Sequence, residues 1–362
     1  MFPDFRYLIY WSTGHFPPQW VGLFKVFGLM VALAFLAASL VMVSELKRKE
    51  RQGLLEPTYD AKRKMNIWPH QRISEIVMVA AIGGIIGAKV FNAFESWNDF
   101  IHDPIGNLFS RSGFTFYGGL IVATAVFYFY ARKYKIRFAY LADCAAPAVM
   151  IAYGIGRLGC QLAGDGDWGI YNSAYVTQTD ASTVAHVTDL RLNRMQTKDS
   201  GEIFMQKYAA LLHTDEMKQG TPHFYAPAPS WAPRWLYAQN FPMNVTHQGI
   251  VLQGAPSQEY ATVLPVAVFP TSLYEALAGI LLFLFLWSIR RRLKRPWEMF
   301  GIYLIVNGLE RFLIEQIRVN YKYDWGWLHP TQAEIIAVCL MVGGILLLLT
   351  RKRKALPPPE LS

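Results

Sequence analysis

Apolar residues along this chain fall in blocks of about 20, long enough for a helix to cross a bilayer, and short basic clusters separate them. The pattern predicts spans over 21–45, 73–94, 113–131, 138–160, 266–289, 298–318 and 331–350. Residues 1–20, with several aromatics and His15-Phe16-Pro17-Pro18, read as an interfacial entry. The basic clusters follow alternate spans: Lys47-Arg48-Lys49, then Arg132, Lys133, Lys135 and Arg137, then Arg290, Arg291, Arg292, Lys294 and Arg295, then Arg351-Lys352-Arg353-Lys354. Positive charge stays on the cytoplasmic side. The expected fold is therefore an all-α polytopic membrane protein with seven transmembrane helices, the N-terminus outside and the C-terminus cytoplasmic. An extracytoplasmic insert lies between helices four and five. The organisation expected is 1–169 for helices one to four, 170–262 for the insert, 263–350 for helices five to seven and 351–362 for a basic tail.

Composition sharpens this picture. Of 362 residues 53% are hydrophobic and 17% charged, against roughly 25% charged in soluble domains. The net charge of +9 lies mostly in the clusters, so it reads as a topology signal beside anionic headgroups and not as a nucleic-acid surface. Three cysteines, Cys144, Cys160 and Cys339, are far apart and in or beside apolar segments, which is neither a disulfide framework nor a metal spacing. The start lacks a basic n-region and cleavage site, so the first span is expected to do the targeting. The loop over 94–112 reads as a short connection. The insert is too long for a simple connection. Its 186–218 stretch has helix-like composition, and 222–235 should be extended or turning. It reads either as a small subdomain without chemistry or as an aromatic surface shaping a substrate mouth.

The polar residues inside the spans carry the chemistry, because a charge there is costly unless paired or facing water. Residues 154–169, GIGRLGCQLAGDGDWG, place Arg157 at a glycine-rich helix break with Asp165 and Asp167 after it. Lys89, among small residues, either snorkels or sits in tight helix packing. Asp143 reads as a structural partner. Arg311 and Glu315, four apart, share a helix face and pair. Arg157 and Arg311 both fall in the outer halves of their spans, where two planar guanidiniums suit a phosphate. The starts of spans three (Thr115 to Leu120) and five (Phe269 to Glu275) reach the same depth.

Taken in order, these residues resemble the prolipoprotein diacylglyceryl transferase family. The matches are Gly156-Arg157-Leu158-Gly159 with Gly164-Asp165 and Trp168-Gly169, Phe27-Gly28-Leu29-Met30, Gly87-Ala88-Lys89, Gly118-Gly119-Leu120, Asp143 with Ala146-Pro147, Pro270-Thr271 with Leu273-Tyr274-Glu275, Arg311 with Glu315, and Gln332. The resemblance implies an enzyme of the bacterial inner membrane, with its active site toward the outer leaflet. It would move a diacylglyceryl group from phosphatidylglycerol, a membrane lipid, to the lipobox cysteine thiol of a prolipoprotein entering by its signal peptide. It implies no metal and no cofactor. Arg157 and Arg311 would clamp the phosphate and Glu315 would orient Arg311. Tyr117 and Asp165 would stand near the thiol. Substrate contacts would come from Phe27, Gly118, Gly119, Gly159, Cys160, Gly164, Gly169, Tyr274 and Gln332, with the glycines admitting the headgroup to the backbone.

The chain departs from the family pattern at Phe27 for tyrosine, Tyr117 for histidine, Cys160 for asparagine and Phe269 for histidine, and carries one extra residue between Asp165 and Trp168. A tyrosine, with a free pKa near 10, is a poor base at neutral pH, so Asp165, Asp167 or Glu315 would replace the histidine. The residues leave two other readings open, a relative that binds anionic lipid or lipoprotein precursors without transfer and a small-solute transporter.

Overall fold

Hydrocarbon offers no partner to a backbone N–H or C=O, so an apolar block in a bilayer satisfies both within a helix. A computed structural model, which describes residues 1–60, 64–109, 115–179, 185–189 and 221–350, has a helix at each of the expected places. These are α2 (Val26–Arg51), α3 (Ile73–Glu95), α6 (Phe116–Lys133), α7 (Phe138–Ala163), α8 (Thr271–Ile289), α9 (Glu298–Glu315) and α10 (Gln332–Thr350), with α1 (Phe5–Thr13) ahead of them. Among the described residues five helices are long and apolar enough to cross a membrane: α2, α3 with the turn before it, α7, α8 and α10. Of the other two, α6 has 18 residues and ends on Arg132 and Lys133. The 18 residues of α9 include Glu298, Glu310, Arg311 and Glu315.

Several boundaries move. The first span begins at Val26, after a 3-10 turn over Gln19–Leu23, and continues to Arg51. The fifth begins only at Thr271, because Val266–Val268 is a strand and Pro270 precedes the helix, a residue that suits a helix start and not its interior. The expected 94–112 connection contains two short helices, α4 (Trp97–His102) and α5 (Pro104–Phe109).

The insert corrects the all-α expectation, since its described part contains strands of a sheet. Strand β3 (Tyr171–Thr179) pairs antiparallel with β4 (Ala185–Asp189), parallel with β5 (His223–Phe224) and antiparallel with β8 (Val266–Val268). Smaller pairs are β1 (Thr58–Asp60) with β2 (Met65–Ile67), and β6 (Ile250–Val251) with β7 (Thr262–Val263). The helix expected over 186–218 is a strand where it is described, to Asp189, and its remainder lies outside the described residues. Pairing along β3 overrides the local composition there, as tertiary context does for weak propensities. Residues 222–235 are extended and turning, as expected.

The chain forms two units. One comprises residues 1–34, 150–285 and 302–346, the other 35–149, 286–301 and 347–362. The second unit has a core of Leu46, Tyr140, Leu141, Cys144 and Ala148 with Ile76 and Ala131. Within it α3 and α6 meet closely: a Cβ at Gly118 would run into the Phe91 side chain and one at Gly119 into the Gly84 carbonyl. Lys89 is buried there and does not snorkel. Asp143 accepts from the backbone N–H of Trp297 at 3.0 Å and of Phe300 at 2.9 Å, which satisfies N–H groups that the start of α9 leaves open. This is the structural role expected of it. The first unit packs Tyr171, Phe241, Leu264, Val266 and Val268 together on the sheet.

Candidate active site

The site belongs wholly to the first unit and begins where α7 stops. Gly164 takes a left-handed φ of 67°, and its N–H donates to the Cys160 carbonyl at 2.9 Å. Such a residue ends a helix without the Cβ penalty. The chain then turns back, so that Asp167 faces Arg157 one helical stretch behind it. Thr271, at the start of α8, donates its hydroxyl to the Asp167 carbonyl at 2.9 Å. Gly169 donates to the Phe269 carbonyl at 2.8 Å and forms an antiparallel bridge with Arg318. A Cβ there would meet the Ile317 carbonyl at 2.6 Å. The end of α7, the start of α8 and the end of α9 are joined at this point by backbone contacts.

Three guanidiniums converge on one carboxylate. Glu275, one turn into α8 and 0% exposed, takes Arg157 Nε at 3.1 Å, Arg311 Nη1 at 3.0 Å and Arg318 Nη1 at 3.2 Å. Arg311 also pairs with Glu315 at 2.9 Å, as its spacing predicts, and Asn320 donates to Glu315 at 2.5 Å. Asp167 spans the other two arginines, with one oxygen on Arg157 Nη1 and the other 2.6 Å from Arg318 Nη2. The Tyr153 hydroxyl donates to Glu310 at 3.2 Å, and its ring lies 5.7 Å from the Arg157 guanidinium. Buried ions hold their charge only in such mutual company. Removing one partner of a buried pair costs about 3–5 kcal/mol.

The carboxylates differ in access. Glu275 and Glu315 are enclosed, while the Asp167 side chain is 35% exposed. Burial pushes the Asp167 carboxyl up, but the Arg157 and Arg318 guanidiniums outweigh it and hold the group below its ordinary value. Asp165 has no such pair. Burial, with the negative charge of Asp167 beside it, holds its carboxyl above the ordinary range. The Cys160 sulfur and one oxygen each of Asp165 and Asp167 lie within 4.8 Å of one another.

The structure brings together Arg157, Arg311 and Glu315 from the residues expected at the site, with Asp165 and Cys160 beside them. Gly159 packs on Met30 and Phe27 of α2, and Phe27 is half exposed. A Cβ would meet Met30 at Gly159, Asn244 at Gly164 and the Ile317 carbonyl at Gly169. Tyr274 donates its hydroxyl to the Leu236 carbonyl and ties α8 to the insert. Gln332 opens α10 and is exposed. Tyr117, Gly118 and Gly119 open α6 in the other unit, and the side chain of Tyr117 lies outside the described residues. From sequence Asp167 is only a possible proton acceptor and Glu275 only part of a matched segment, and Arg318 has no role assigned. Arg318 stands seven residues after Arg311, but α9 ends at Glu315 and Arg318 reaches the cluster from its bridge with Gly169, which helical spacing does not announce.

A helical chain with several membrane-length apolar helices and a buried arginine–carboxylate cluster beside a helix break defines a polytopic membrane protein with an ionic site. The chain belongs to the prolipoprotein diacylglyceryl transferase family, whose model matches residues 21–350. It is similar to the phosphatidylglycerol–prolipoprotein diacylglyceryl transferase of Stenotrophomonas maltophilia, 26% identical over 344 residues that make up 92% of this chain and 90% of the relative. The enzyme of that name from Xylella fastidiosa is 26% identical over 301 residues, 80% of this chain and 82% of the relative. That of Leptospira interrogans is 29% identical over 177 residues, 42% and 50% respectively.

Proposed function

We propose that this protein transfers a diacylglyceryl group from phosphatidylglycerol to the cysteine thiol of a prolipoprotein lipobox. The observation that carries the reading is the convergence of Arg157, Arg311 and Arg318 on Glu275, with the partly exposed carboxylate of Asp167 spanning two of them. Glu275 and Glu315 fix the guanidinium planes, and a fixed fork binds phosphate oxygens in bidentate fashion. Asp167 occupies the anion's place until the lipid phosphate displaces it. In the transfer, the cysteine sulfur attacks the glycerol carbon bearing the phosphoester. A C–S bond forms, the C–O bond breaks, and glycerol phosphate leaves with the electron pair. Prepositioned cations stabilise that developing charge. The thiol must first lose its proton, because the thiolate is the nucleophile. Asp165 is the base in this reading, its raised pKa bringing it toward the working range, and Tyr117 is the other candidate.

The same reading has seven spans with the N-terminus outside, the site toward the outer leaflet of the bacterial inner membrane, and the insert and loop 319–330 on the outer face. Residues 1–169 and 263–350 are its membrane parts, 170–262 its outer insert and 351–362 its cytoplasmic tail. Phe27 and Gln332, both open to the surroundings, meet the lipid, while Gly159, Gly164 and Gly169 set the backbone around it. The test is incubation of the purified protein with phosphatidylglycerol and a lipobox peptide. A diacylglyceryl mass increment on the cysteine is expected, and is lost in Arg157→Ala. No increment, where a known family member gives one, removes the activity.

A further inference from the structure

Two basic clusters that follow different helices meet in the second unit. Ser44, Glu45, Lys47, Arg48 and Arg51 on the end of α2, with Arg290 and Arg291 just beyond α8, line a cavity of about 230 Å³. Glu45 is buried and is shared between two guanidiniums, Arg48 Nη2 at 2.6 Å and Arg290 Nε at 3.1 Å. Arg290 also lies 3.6 Å from the Trp287 ring, and its Nη1 donates to the Trp287 carbonyl. Its plane is therefore set from two sides. The lining holds five basic side chains against one carboxylate. Burial and then the like charges of Arg291 and Arg48 keep the Arg290 guanidinium below its ordinary pKa, despite the opposing pull of Glu45. The cluster carries a surplus of positive charge that nothing lining the cavity offsets.

We propose that this cavity is a second anion site, built from residues apart from the arginine cluster around Glu275, that holds a phosphate mono- or diester. Every lining residue is charged or hydroxylic, with the aliphatic stems of the long side chains between their polar heads. The cavity's volume is below the roughly 300–1,000 Å³ of small-molecule pockets, which suits a single headgroup and no more. A carboxylate holding two guanidiniums in place, with a ring stacked on one, leaves their remaining N–H groups preset for phosphoryl oxygens. Both walls are the ends of helices long enough to cross a bilayer, which is the depth of lipid phosphates. The anion reaches the site either as the headgroup of an acidic phospholipid or as phosphate from solution.

Native mass spectrometry of the full chain separates these outcomes. The probes are phosphatidylglycerol, phosphatidylcholine and inorganic phosphate, each added alone. The variant is Lys47→Gln, Arg51→Gln and Arg291→Gln together, all exposed and outside the pairs made by Glu45. Wild type is expected to bind one more phosphatidylglycerol than the variant, with at least tenfold tighter apparent affinity for that one. Phosphatidylcholine binding is expected to be unchanged, and Arg292→Gln, an exposed neighbour outside the lining, to match wild type. Loss of phosphatidylglycerol alone assigns the lipid headgroup, and loss of inorganic phosphate as well assigns a solution anion. Equal binding of both probes by wild type and variant, or equal losses in Arg292→Gln, overturns the site. The readout is binding without turnover, so it stands or falls apart from the transferase reading.

Discussion

At the scale of the residue, the informative group is Asp167, a carboxylate that no simple phosphate clamp would need. Its neighbours Arg157 and Arg318 each keep a second partner in Glu275, so the cluster survives its loss. Asp167→Asn keeps the side chain's size and removes the charge that competes with the lipid phosphate. The expected result is a lower KM for phosphatidylglycerol by roughly tenfold, about 1.4 kcal/mol, measured in the peptide transfer assay. A higher KM would show instead that Asp167 holds the arginines for the substrate. Glu275→Gln is the opposite case. It leaves three guanidiniums without their common partner, and a loss of about 3–5 kcal/mol in stability is expected, read as a drop in the thermal unfolding midpoint. Asp165 bears on pH. A base works only when deprotonated, and burial raises this carboxyl. The acid limb of the kcat/KM profile is therefore expected above the ordinary carboxylate range, with activity falling as pH drops through it. Asp165→Asn should remove that limb together with most of the rate, and an unchanged profile would assign the proton to another group.

At the scale of the element, the junction of α7, α8 and α9 places the arginines, and it depends on backbone approach at Gly169. Gly169→Val would push a side chain onto the carbonyls of Ile317 and Phe269 and separate Arg318 from Asp167. Overpacking of this kind costs typically about 1–3 kcal/mol. The expected outcome is retained expression in the membrane, a lowered unfolding temperature and transfer activity reduced at least tenfold. The helices of this junction were readable from sequence, because apolar blocks of membrane length have one backbone solution. Arg311 with Glu315 was readable too, since four residues along a helix is a contact. Glu275 at the centre was not, because nothing local says that arginines on α7, on α9 and beyond its end meet on it. The sheet around β3 was hidden for the same reason. Its partners are β4, β5 and β8, spread from Ala185 to Val268, and long-range pairing leaves little trace in composition. The hydrogen bond from the Tyr274 hydroxyl to the Leu236 carbonyl is a contact with the insert that its motif does not announce.

At the scale of the whole molecule, orientation decides whether the proposed site meets the right leaflet. Four basic clusters after alternate spans favour the N-terminus outside. In that orientation the 319–330 loop would lie on the outer face, and the loop has the chemistry of a membrane interface. Tyr323 and Trp325 stack at 6.2 Å, and Tyr321 and Trp327 are strongly exposed, as suits aromatic rings at headgroup depth. Two single cysteines test this arrangement in a background where Cys144, Cys160 and Cys339 are replaced. Asp324→Cys lies in the loop and is open to solvent, and Gln52→Cys lies just beyond α2 among the basic residues. A membrane-impermeant maleimide on intact cells, with the outer membrane made permeable, is expected to label Asp324→Cys at once and Gln52→Cys only after the inner membrane is opened. The reverse order would put the arginine cluster's end of α9 on the cytoplasmic side. A cluster there could not take phosphatidylglycerol from the outer leaflet, so the leaflet assigned to the donor would fall while the ionic geometry stood.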